Sequence, residues 1–309
     1  MAVNRIASNV PYVPTYQSGI AQCRGDSIKP NHWNGLVESW PIFAGPTKDV
    51  ARNFVSKKHG VLTSMDFGSD WVVGPKGYAL DFDGVADSTG DRILCPLSTG
   101  TKKMSGWTMS IEFIFRYLGG STQQVNPFIS KYGVAGTDRS FYLILNRRAS
   151  DIILNGLVIT DRATAPHPRE NIAWQPSPDP EDALWHHVVF TMDLRVAGGS
   201  AYKLFWDGVE LSQTSWSEAS SPVRPMDLGG PIGWEIGGQA VNGTWKFQGQ
   251  FSLVNIYNRA LSDSECIEKS IDPYAMFSPS WNIDILSKSV LAATRVQDMI
   301  GMGMVPFAR

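Results

Sequence analysis

Apolar and polar residues alternate along much of the middle of this chain, and a period of two is typical of a β-strand. The alternation is clearest over residues 108–118, TMSIEFIFRYL. There the polar residues Ser110, Glu112 and Arg116 would lie on one face of the strand. The other face would hold only apolar and aromatic side chains, namely Met109, Ile111, Phe113, Phe115 and Tyr117. The pattern predicts a strand with one face in a hydrophobic core.

Other short apolar runs, separated by turn residues, predict further strands. In residues 201–213 Asp207 and Gly208 separate two such runs, which favours a two-residue hairpin whose central residues both have positive φ. A short helix is predicted after Ser262, because Glu265 completes a capping box and Pro273 prevents continuation. The remaining predicted strands are YALDFDG (78–84), FYLILNR (141–147), DIILNGLVIT (151–160), LWHHVVFTMDL (184–194) and WKFQGQFSLVNIYN (245–258).

Many strands with little helix predict an all-β fold, a sandwich or a barrel, with one short C-terminal helix. Residues 1–33, with prolines scattered through polar sequence, are predicted to be an extended arm. Residues 34–272 would form the sandwich, and residues 273–309 an apolar tail. Two segments, 161–183 and about 212–230, look too long for simple connections and are predicted to be either functional or disordered loops.

Composition and charge limit the classes of partner that the protein could bind. The net charge of −2 gives no basic surface for nucleic acid and no polybasic segment for an anionic membrane. No apolar run is long enough to span a bilayer, and the first residues lack the apolar core of a secretion signal. Three cysteines do not make a disulfide framework, so we expect free thiols. These features predict a protein made in a reducing cytoplasm.

Six phrases, in order, resemble the concanavalin A-like lectin/glucanase superfamily in its laminin-G or pentraxin-type branch. The resemblance covers residues 34–272 and implies a jelly-roll sandwich of two curved antiparallel sheets, which agrees with the period of two. The phrases are GLVESWPI (35–42), YALDFDGVAD (78–87), WHHVVFTMD (185–193), FWDGVEL (205–211), IGG (236–238) and GQFSLVNIYNRALSDSE (249–265).

Members of this superfamily commonly bind glycans, proteins or calcium, and similar single domains occur in bacteriophage head and tail accessory proteins. The resemblance therefore implies a non-catalytic virion protein, as a capsid decoration or a tail or fibre component, whose sandwich binds surface glycans. Its partners would be other virion subunits or copies of itself in a homo-oligomer, held through the arm and the tail. The tail would pack either on its own sandwich or on a neighbour, and residues 34–272 would fold alone without oligomerising. A freestanding carbohydrate-binding module is the alternative.

A third hypothesis is that the chain is a β-glucan hydrolase, but the positions of its glutamate and aspartate residues do not favour it. The hydrolases of this superfamily carry catalytic carboxylates on one strand, as Glu-x-Asp-x-Glu or with one extra residue. No Glu of this chain has an Asp two positions later, and Glu112 has Ser110 and Ile114 as its neighbours on the strand face. Because hydrolysis with retention needs two carboxyl groups about 5–5.5 Å apart, we expect no hydrolysis of β-glucans.

Two groups of residues raise the question of a metal. His186 and His187 are adjacent on a predicted strand, so their rings point to opposite faces and cannot bind one ion.

Calcium is the ion that the sequence favours. Asp81 and Asp83 share a strand face and Asp87 follows them, which clusters hard oxygen ligands. Asp49 matches the first aspartate of a loop that helps to bind calcium in relatives, although the serine-glycine of that loop is absent here and two lysines have entered. The alternative is that these carboxylates are simply solvated.

Tryptophans in loops would suit a sugar ligand, because a flat ring face stacks on pyranose C–H groups. Trp174 and Trp216 lie in the two long segments, Trp234 precedes the IGG turn, and Arg169 is close to Trp174. We predict these four residues as glycan-binding candidates. The alternative is that the rings belong to the core, as we expect for Trp107, Trp185, Trp206 and Trp245.

Overall fold

The computed structural model describes residues 20–85, 90–119, 125–132, 139–147, 152–159, 169–176, 180–196, 198–218, 225–226, 228, 232–239 and 245–279. These residues divide into two units. The larger unit lies within residues 34–273, and the smaller one combines residues 20–33 with residues 274–279. The larger unit is an antiparallel β-sandwich of two sheets, which confirms the predicted fold class.

The first sheet contains eight strands among the described residues. Among the described strands, β1 (Leu36–Trp40) and β17 (Gln248–Tyr257) are the first and the last in sequence, and they pair with each other. Strand β17 also lies between β7 (Thr108–Tyr117) and β5 (Gly77–Asp83). The order across the sheet is β14 (Val209–Glu210), β13 (Tyr202–Trp206), β12 (Trp185–Asp193), β7 (Thr108–Tyr117), β17 (Gln248–Tyr257), β5 (Gly77–Asp83) and β4 (Trp71–Gly74), with β1 (Leu36–Trp40) beside β17.

The second sheet contains nine strands in the same described ranges. Its order is β15 (Gln213–Glu218), β11 (Arg169–Trp174), β10 (Ile152–Ile159), β9 (Arg139–Arg147), β8 (Val125–Tyr132), β16 (Trp234–Ile236), β6 (Arg92–Cys95), β3 (Gly60–Thr63) and β2 (Val50–Ala51).

Helices are few and short in the part of the chain that the structure describes. Helix α1 covers Thr99–Lys102 and helix α2 covers Asp263–Ile271. In the described residues neither is long and apolar enough to cross a membrane. Single turns of 3₁₀-helix occur at Arg24–Asp26, Pro30–Trp33, Ile42–Ala44, Pro180–Asp182, Gly198–Ala201 and Ala275–Phe277.

The core between the sheets follows the predicted period. On β7 the five residues from Met109 to Tyr117 that were expected to point inward are each at most 1% exposed and belong to one continuous apolar cluster. Their aromatic rings meet rings of the opposite sheet, where Phe128 lies 4.8 Å from Phe113 and 4.7 Å from Phe115, centroid to centroid. Such contacts add to the free energy gained by removing each ring from water.

The predicted hairpin and helix are confirmed. Asp207 and Gly208 both have positive φ, 49° and 84°, and a Cβ at Gly208 would lie only 2.3 Å from Ser270 Oγ of α2. Ser262 and Glu265 form the expected capping box at the start of α2. This helix covers the outer face of the eight-stranded sheet, since Lys269 of α2 contacts Glu112 of β7 there.

The two predicted long loops are in part strands, which corrects that expectation. Segment 161–183 contains β11 and segment 212–230 contains β15, and the two pair antiparallel over the register Glu170–Glu218 to Trp174–Gln213. Prolines around β11 obscured its pattern, and each of the two strands has only six residues.

The smaller unit brings the described part of the arm together with the first residues of the tail. The amide N–H groups of Ala21 and Ile28 donate to the carbonyl groups of Phe277 and Ser278, at 2.7 and 3.0 Å. The Trp33 indole N–H donates to the carbonyl of Met276, and the Trp33 ring packs edge-on against Phe277. The arm is therefore not extended throughout, because two 3₁₀ turns lie within residues 20–33. Tail residues 280–309 lie outside the described ranges.

Candidate functional site

Trp174, the leading candidate from the sequence, lies in the core. It is the last residue of β11, its side chain is 0% exposed, and its ring meets Phe190 edge-on at 6.0 Å. The expectation of an exposed platform at this position is therefore wrong. On β11, Ile172 and Trp174 point into the sandwich, as the period of a strand requires.

The other three candidates do not form a site with it in the described residues. Trp234 lies on β16 with 1% of its side chain exposed, and its indole N–H donates to Thr101 Oγ1 at 3.2 Å, so it is also a core residue. Arg169 and Trp216 lie on β11 and β15, with the backbone of Trp216 opposite Ile172. Their side chains are outside what the structure describes, and their binding roles stay predictions.

A polar cleft lies instead on the outer face of the nine-stranded sheet. It has a volume of about 300 Å³ and crosses β9, β10, β11 and β15. Ile144 and Ala173 form an apolar floor, and cross-strand pairing aligns Ile144 with Asn155, Asn155 with Ala173, and Ala173 with Ser215. The lining residues are Val125, Tyr142, Ile144, Asn146, Asn155, Asn171, Ile172, Ala173, Ser215 and Trp245.

Three asparagine amides in this cleft are available to a ligand. Asn146, Asn155 and Asn171 are half-buried, and the side chain of none of them makes a hydrogen bond within the described part of the chain. Each amide offers a carbonyl acceptor and two N–H donors. Because these amides are partly exposed and have no partner among the described residues, they can hydrogen-bond to water or to a ligand that enters the cleft.

Aromatic rings stand beside these amides. Tyr142 and Trp245 line the cleft, their ring centroids 6.4 Å apart and their planes at 85°. Tyr132 continues the row, 5.5 Å from Tyr142. Trp245 is half-buried, so the expectation that it belongs to the core is wrong. Trp185 is likewise half-buried. Trp107 is half-buried but packs against the core, and Trp206 is a core residue as predicted.

A second cavity, of about 420 Å³, lies on the same sheet and is mostly apolar. It is lined from β3, β6, β8 and β16 and from the residues that precede β16. Tyr132 is part of its wall. Its apolar lining includes Val61, Leu94, Pro96 and Ile232. Among the described lining residues, Glu235 is the one with a charged side chain.

The calcium candidates lie in different places. Asp81 and Asp83 are on β5, where the Asp83 N–H donates to the Asp91 carboxylate at 3.1 Å. Burial, followed by the nearby carboxylates of Asp83, Asp70 and Asp81, raises the pKa of Asp91 to about 7, although the hydrogen bond from the Asp83 N–H opposes the shift.

Asp49 precedes β2 in the other sheet. The segment after it is held by Glu38, which accepts hydrogen bonds from Asn53 and Ser56 at 2.7 and 2.6 Å. Asp87 is outside the described residues, and among those described no group of three or more His, Cys, Asp or Glu side chains could hold a metal ion. Calcium binding stays a prediction.

The two histidines lie on opposite faces of β12, as predicted. The His186 ring packs inward against Trp206, 4.6 Å between centroids, and its two nitrogens lie 2.7 Å from Asp207 and 3.1 Å from Asp182. Burial lowers the pKa of His186, but the hydrogen bonds to the two carboxylates outweigh it and raise that pKa above 6.5. The imidazolium thereby ties β12 to the hairpin turn and to the 3₁₀ turn before it.

A pH dependence of stability follows from His186. A group whose pKa is higher in the folded state stabilises the fold below its unfolded pKa, and this contribution disappears as pH rises through the folded pKa. We expect the free energy of unfolding to fall as pH is raised from 6 to 9, and to fall less in a His186→Asn variant. Urea denaturation at several pH values measures both. Equal slopes for the two proteins would contradict the assignment.

On the outer face of the eight-stranded sheet, Glu112 forms a buried polar cluster. Its carboxylate, 0% exposed, accepts hydrogen bonds from His187, Asn255, Tyr257 and Lys269 at 2.8–3.1 Å. Burial would raise the pKa of Glu112, but the Lys269 ammonium and these hydrogen bonds hold it well below its usual range. Helix α2 shields this carboxylate from solvent, so the cluster fastens the helix to the sheet.

The fold is an antiparallel β-sandwich with an open cleft on the outer face of one sheet. A sequence profile described as the concanavalin A-like lectin/glucanases superfamily matches residues 95–266, more than half of the chain. The chain belongs to this superfamily, which confirms the resemblance found in the six phrases. No curated protein sequence matches the chain significantly.

Solved structures share the fold. The sialidase of Trypanosoma rangeli aligns with 16% identity and a TM-score of 0.51, over 77% of this chain and 33% of that one. A mutant of HCR D/C VPI 5995 aligns with 9% identity and a TM-score of 0.51, over 77% and 52%. The chain spans about a third of the sialidase and half of the HCR D/C protein, and these identities show the fold alone.

Proposed function

We propose that this chain is a glycan-binding protein whose ligand lies in the polar cleft of the nine-stranded sheet. The observation that carries the proposal is a set of three amides, those of Asn146, Asn155 and Asn171, that have no side-chain partner among the described residues and lie beside Tyr142 and Trp245. Sugars present hydroxyl groups on their edges and C–H groups on their faces. Amides that both donate and accept suit the edges, and aromatic rings suit the faces.

The cleft favours a neutral sugar. Its described lining contains amides, a hydroxyl, aromatic rings and aliphatic groups, and no charged side chain. A carboxylated or sulfated sugar would leave its charge without a partner among these residues, which is costly in a partly dehydrated site. The cleft also has the concave form and the volume range typical of small-molecule sites, about 300–1,000 Å³.

We propose that the protein does not hydrolyse its ligand. Hydrolysis needs two carboxyl groups flanking the scissile bond, and the described lining of the cleft contains none. Glu112, the best-placed glutamate in the sequence, is buried under helix α2 and bound by four donors.

Substitution within the cleft tests the binding site. A glycan array on the full-length protein identifies a ligand, and calorimetry then gives its Kd. We expect Asn155→Ala to raise the Kd about two- to tenfold, since a net hydrogen bond contributes about 0.5–1.5 kcal/mol. Trp245→Ala should raise it about tenfold through loss of the ring contact, worth about 1–1.5 kcal/mol.

Asn258, an exposed asparagine after β17, supplies the control. Asn258→Ala should leave the Kd unchanged, and all three variants should keep the melting temperature of the parent protein. If Asn155→Ala and Trp245→Ala bind as Asn258→Ala does, the ligand does not lie in this cleft.

A role in virion assembly is our second proposal. The feature that supports it is the smaller unit, in which residues 20–33 and residues 274–279 meet through backbone hydrogen bonds. A binding sandwich alone does not require such a unit. In this proposal the protein is a virion accessory component that displays the glycan-binding cleft, and the freestanding module stays the alternative.

A further inference from the structure

The apolar cavity on the nine-stranded sheet has the character of a ligand site. Val61 and Leu94, paired across β3 and β6, are 48% and 40% exposed, and both line it. Together with Pro96 and Ile232 they form a concave apolar surface of a kind that favours an apolar group over water.

This cavity and the polar cleft are neighbours along the sheet. Tyr132 lines the apolar cavity and Tyr142 lines the polar cleft, and their rings lie 5.5 Å apart, edge to face. The strands impose this arrangement, because Tyr142 of β9 pairs with Ser130 of β8, another lining residue of the apolar cavity. A ligand that occupies the cleft can therefore pass over the two tyrosine rings into the cavity.

We propose that the two cavities form one site for an amphipathic glycan, a neutral sugar that carries an apolar alkyl or aryl group. This inference rests on the proposed function, because the sugar part occupies the polar cleft. The apolar group lies against Val61, Leu94 and Tyr132. The carboxylate of Glu235 on the cavity wall lies 3.6 Å from Arg92 Nε, so an uncharged apolar group does not meet an uncompensated charge there.

The expected gain in affinity follows from the apolar surface of the ligand that is removed from water in the cavity. Each methylene group removed from water strengthens binding about fourfold. An extension that only partly fills a cavity of about 420 Å³ should therefore improve the Kd at least tenfold over the same sugar with a methyl group.

Pairs of glycosides test the inference on the full-length protein. Methyl and hexyl β-glycosides of glucose, galactose and N-acetylglucosamine are titrated by calorimetry. For a sugar that binds, we expect the hexyl form to bind at least tenfold more tightly. Leu94→Ser should abolish this advantage and leave the Kd of the methyl form unchanged, whereas Asn155→Ala should weaken both forms.

Val73, 75% exposed on β4 of the other sheet, provides the control. Val73→Ser should keep the full advantage of the hexyl form, and Val61→Ser should behave as Leu94→Ser does. Equal Kd values for methyl and hexyl forms would overturn this inference while leaving the proposed function in place. Absence of binding by every glycoside, and by every glycan on the array, would overturn both. Hexyl binding that Asn155→Ala does not weaken would show an apolar site separate from the cleft, and would also overturn the inference.

Discussion

Replacing Lys269 by Met should lower the free energy of unfolding by about 3–5 kcal/mol, the usual cost of removing one partner of a buried ion pair. Lys269 is 1% exposed, and its ammonium lies 3.1 Å from Glu112 and 2.8 Å from the Tyr257 hydroxyl. Without it, the Glu112 carboxylate keeps the hydrogen bonds from His187, Asn255 and Tyr257 but loses the one from Lys269 and the charge that compensates it. Urea denaturation at pH 7 gives the difference directly.

A surface ion pair between strand β13 and the same helix is the matched control. Lys203 lies 2.8 Å from Asp263 at the start of α2, but its side chain is 36% exposed. Lys203→Met should cost less than about 1 kcal/mol, because exposed pairs contribute little. In the double variant Glu112→Gln with Lys269→Met, the loss should be smaller than the sum of the two single losses. A cost for Lys269→Met no larger than that for Lys203→Met would show that α2 is fastened by other contacts.

Replacing Trp174 by Ala should cost about 3–5 kcal/mol, the range for removing a large aromatic side chain from a core. The ring is fully buried against Phe190, and its indole N–H has no hydrogen-bond partner in the described residues. Trp174→Phe should therefore cost much less, because it keeps most of the apolar volume and removes the unpaired N–H.

Measuring the melting temperature and the glycan affinity of Trp174→Ala together distinguishes a core residue from a ligand-binding residue. Leu184→Ala, at a position 60% exposed, should change the stability by less than about 0.5 kcal/mol and serves as the reference. Unchanged melting of Trp174→Ala with lost glycan binding would restore Trp174 as a ligand platform. The expected result is the reverse, with a large fall in melting temperature and no direct effect on the Kd of the folded fraction.

Local patterns predicted most of the sandwich. The alternation on β7, the positive φ at Asp207 and Gly208, and the capping box of α2 are all properties of a few adjacent residues, and each agrees with the structure. The strands β11 and β15 were missed because their inward residues are few and their neighbours are prolines and polar residues. Strand β11 joins the sheet by pairing with β10, and β15 joins it by pairing with β11, which lies about forty residues earlier in the sequence.

The cleft could not be predicted from such patterns. Asn146, Asn155 and Asn171 lie on three different strands, and each alone is an ordinary outward-facing polar residue. Cross-strand register is what places them on one surface. A signal was present, since asparagine is disfavoured in strands and each of these strands carries one at an outward position. The partners of Glu112 were hidden for the same reason, because Lys269 reaches it from a helix far along the sequence.

The position of β17 has a consequence for biosynthesis. Until residues 248–257 have left the ribosome, the eight-stranded sheet is divided, with β7 and its neighbours on one side and β5 with β4 on the other. Both β7 and β5 then present unpaired backbone groups, which are templates for pairing with other chains. Closure also joins Leu36 to Tyr257, a contact between opposite ends of the sandwich sequence, and such contacts form slowly. Synthesis interrupted before Gln248 should therefore yield aggregation-prone fragments. A chaperone that covers the unpaired edges of β7 and β5 until β17 is synthesised would reduce this aggregation.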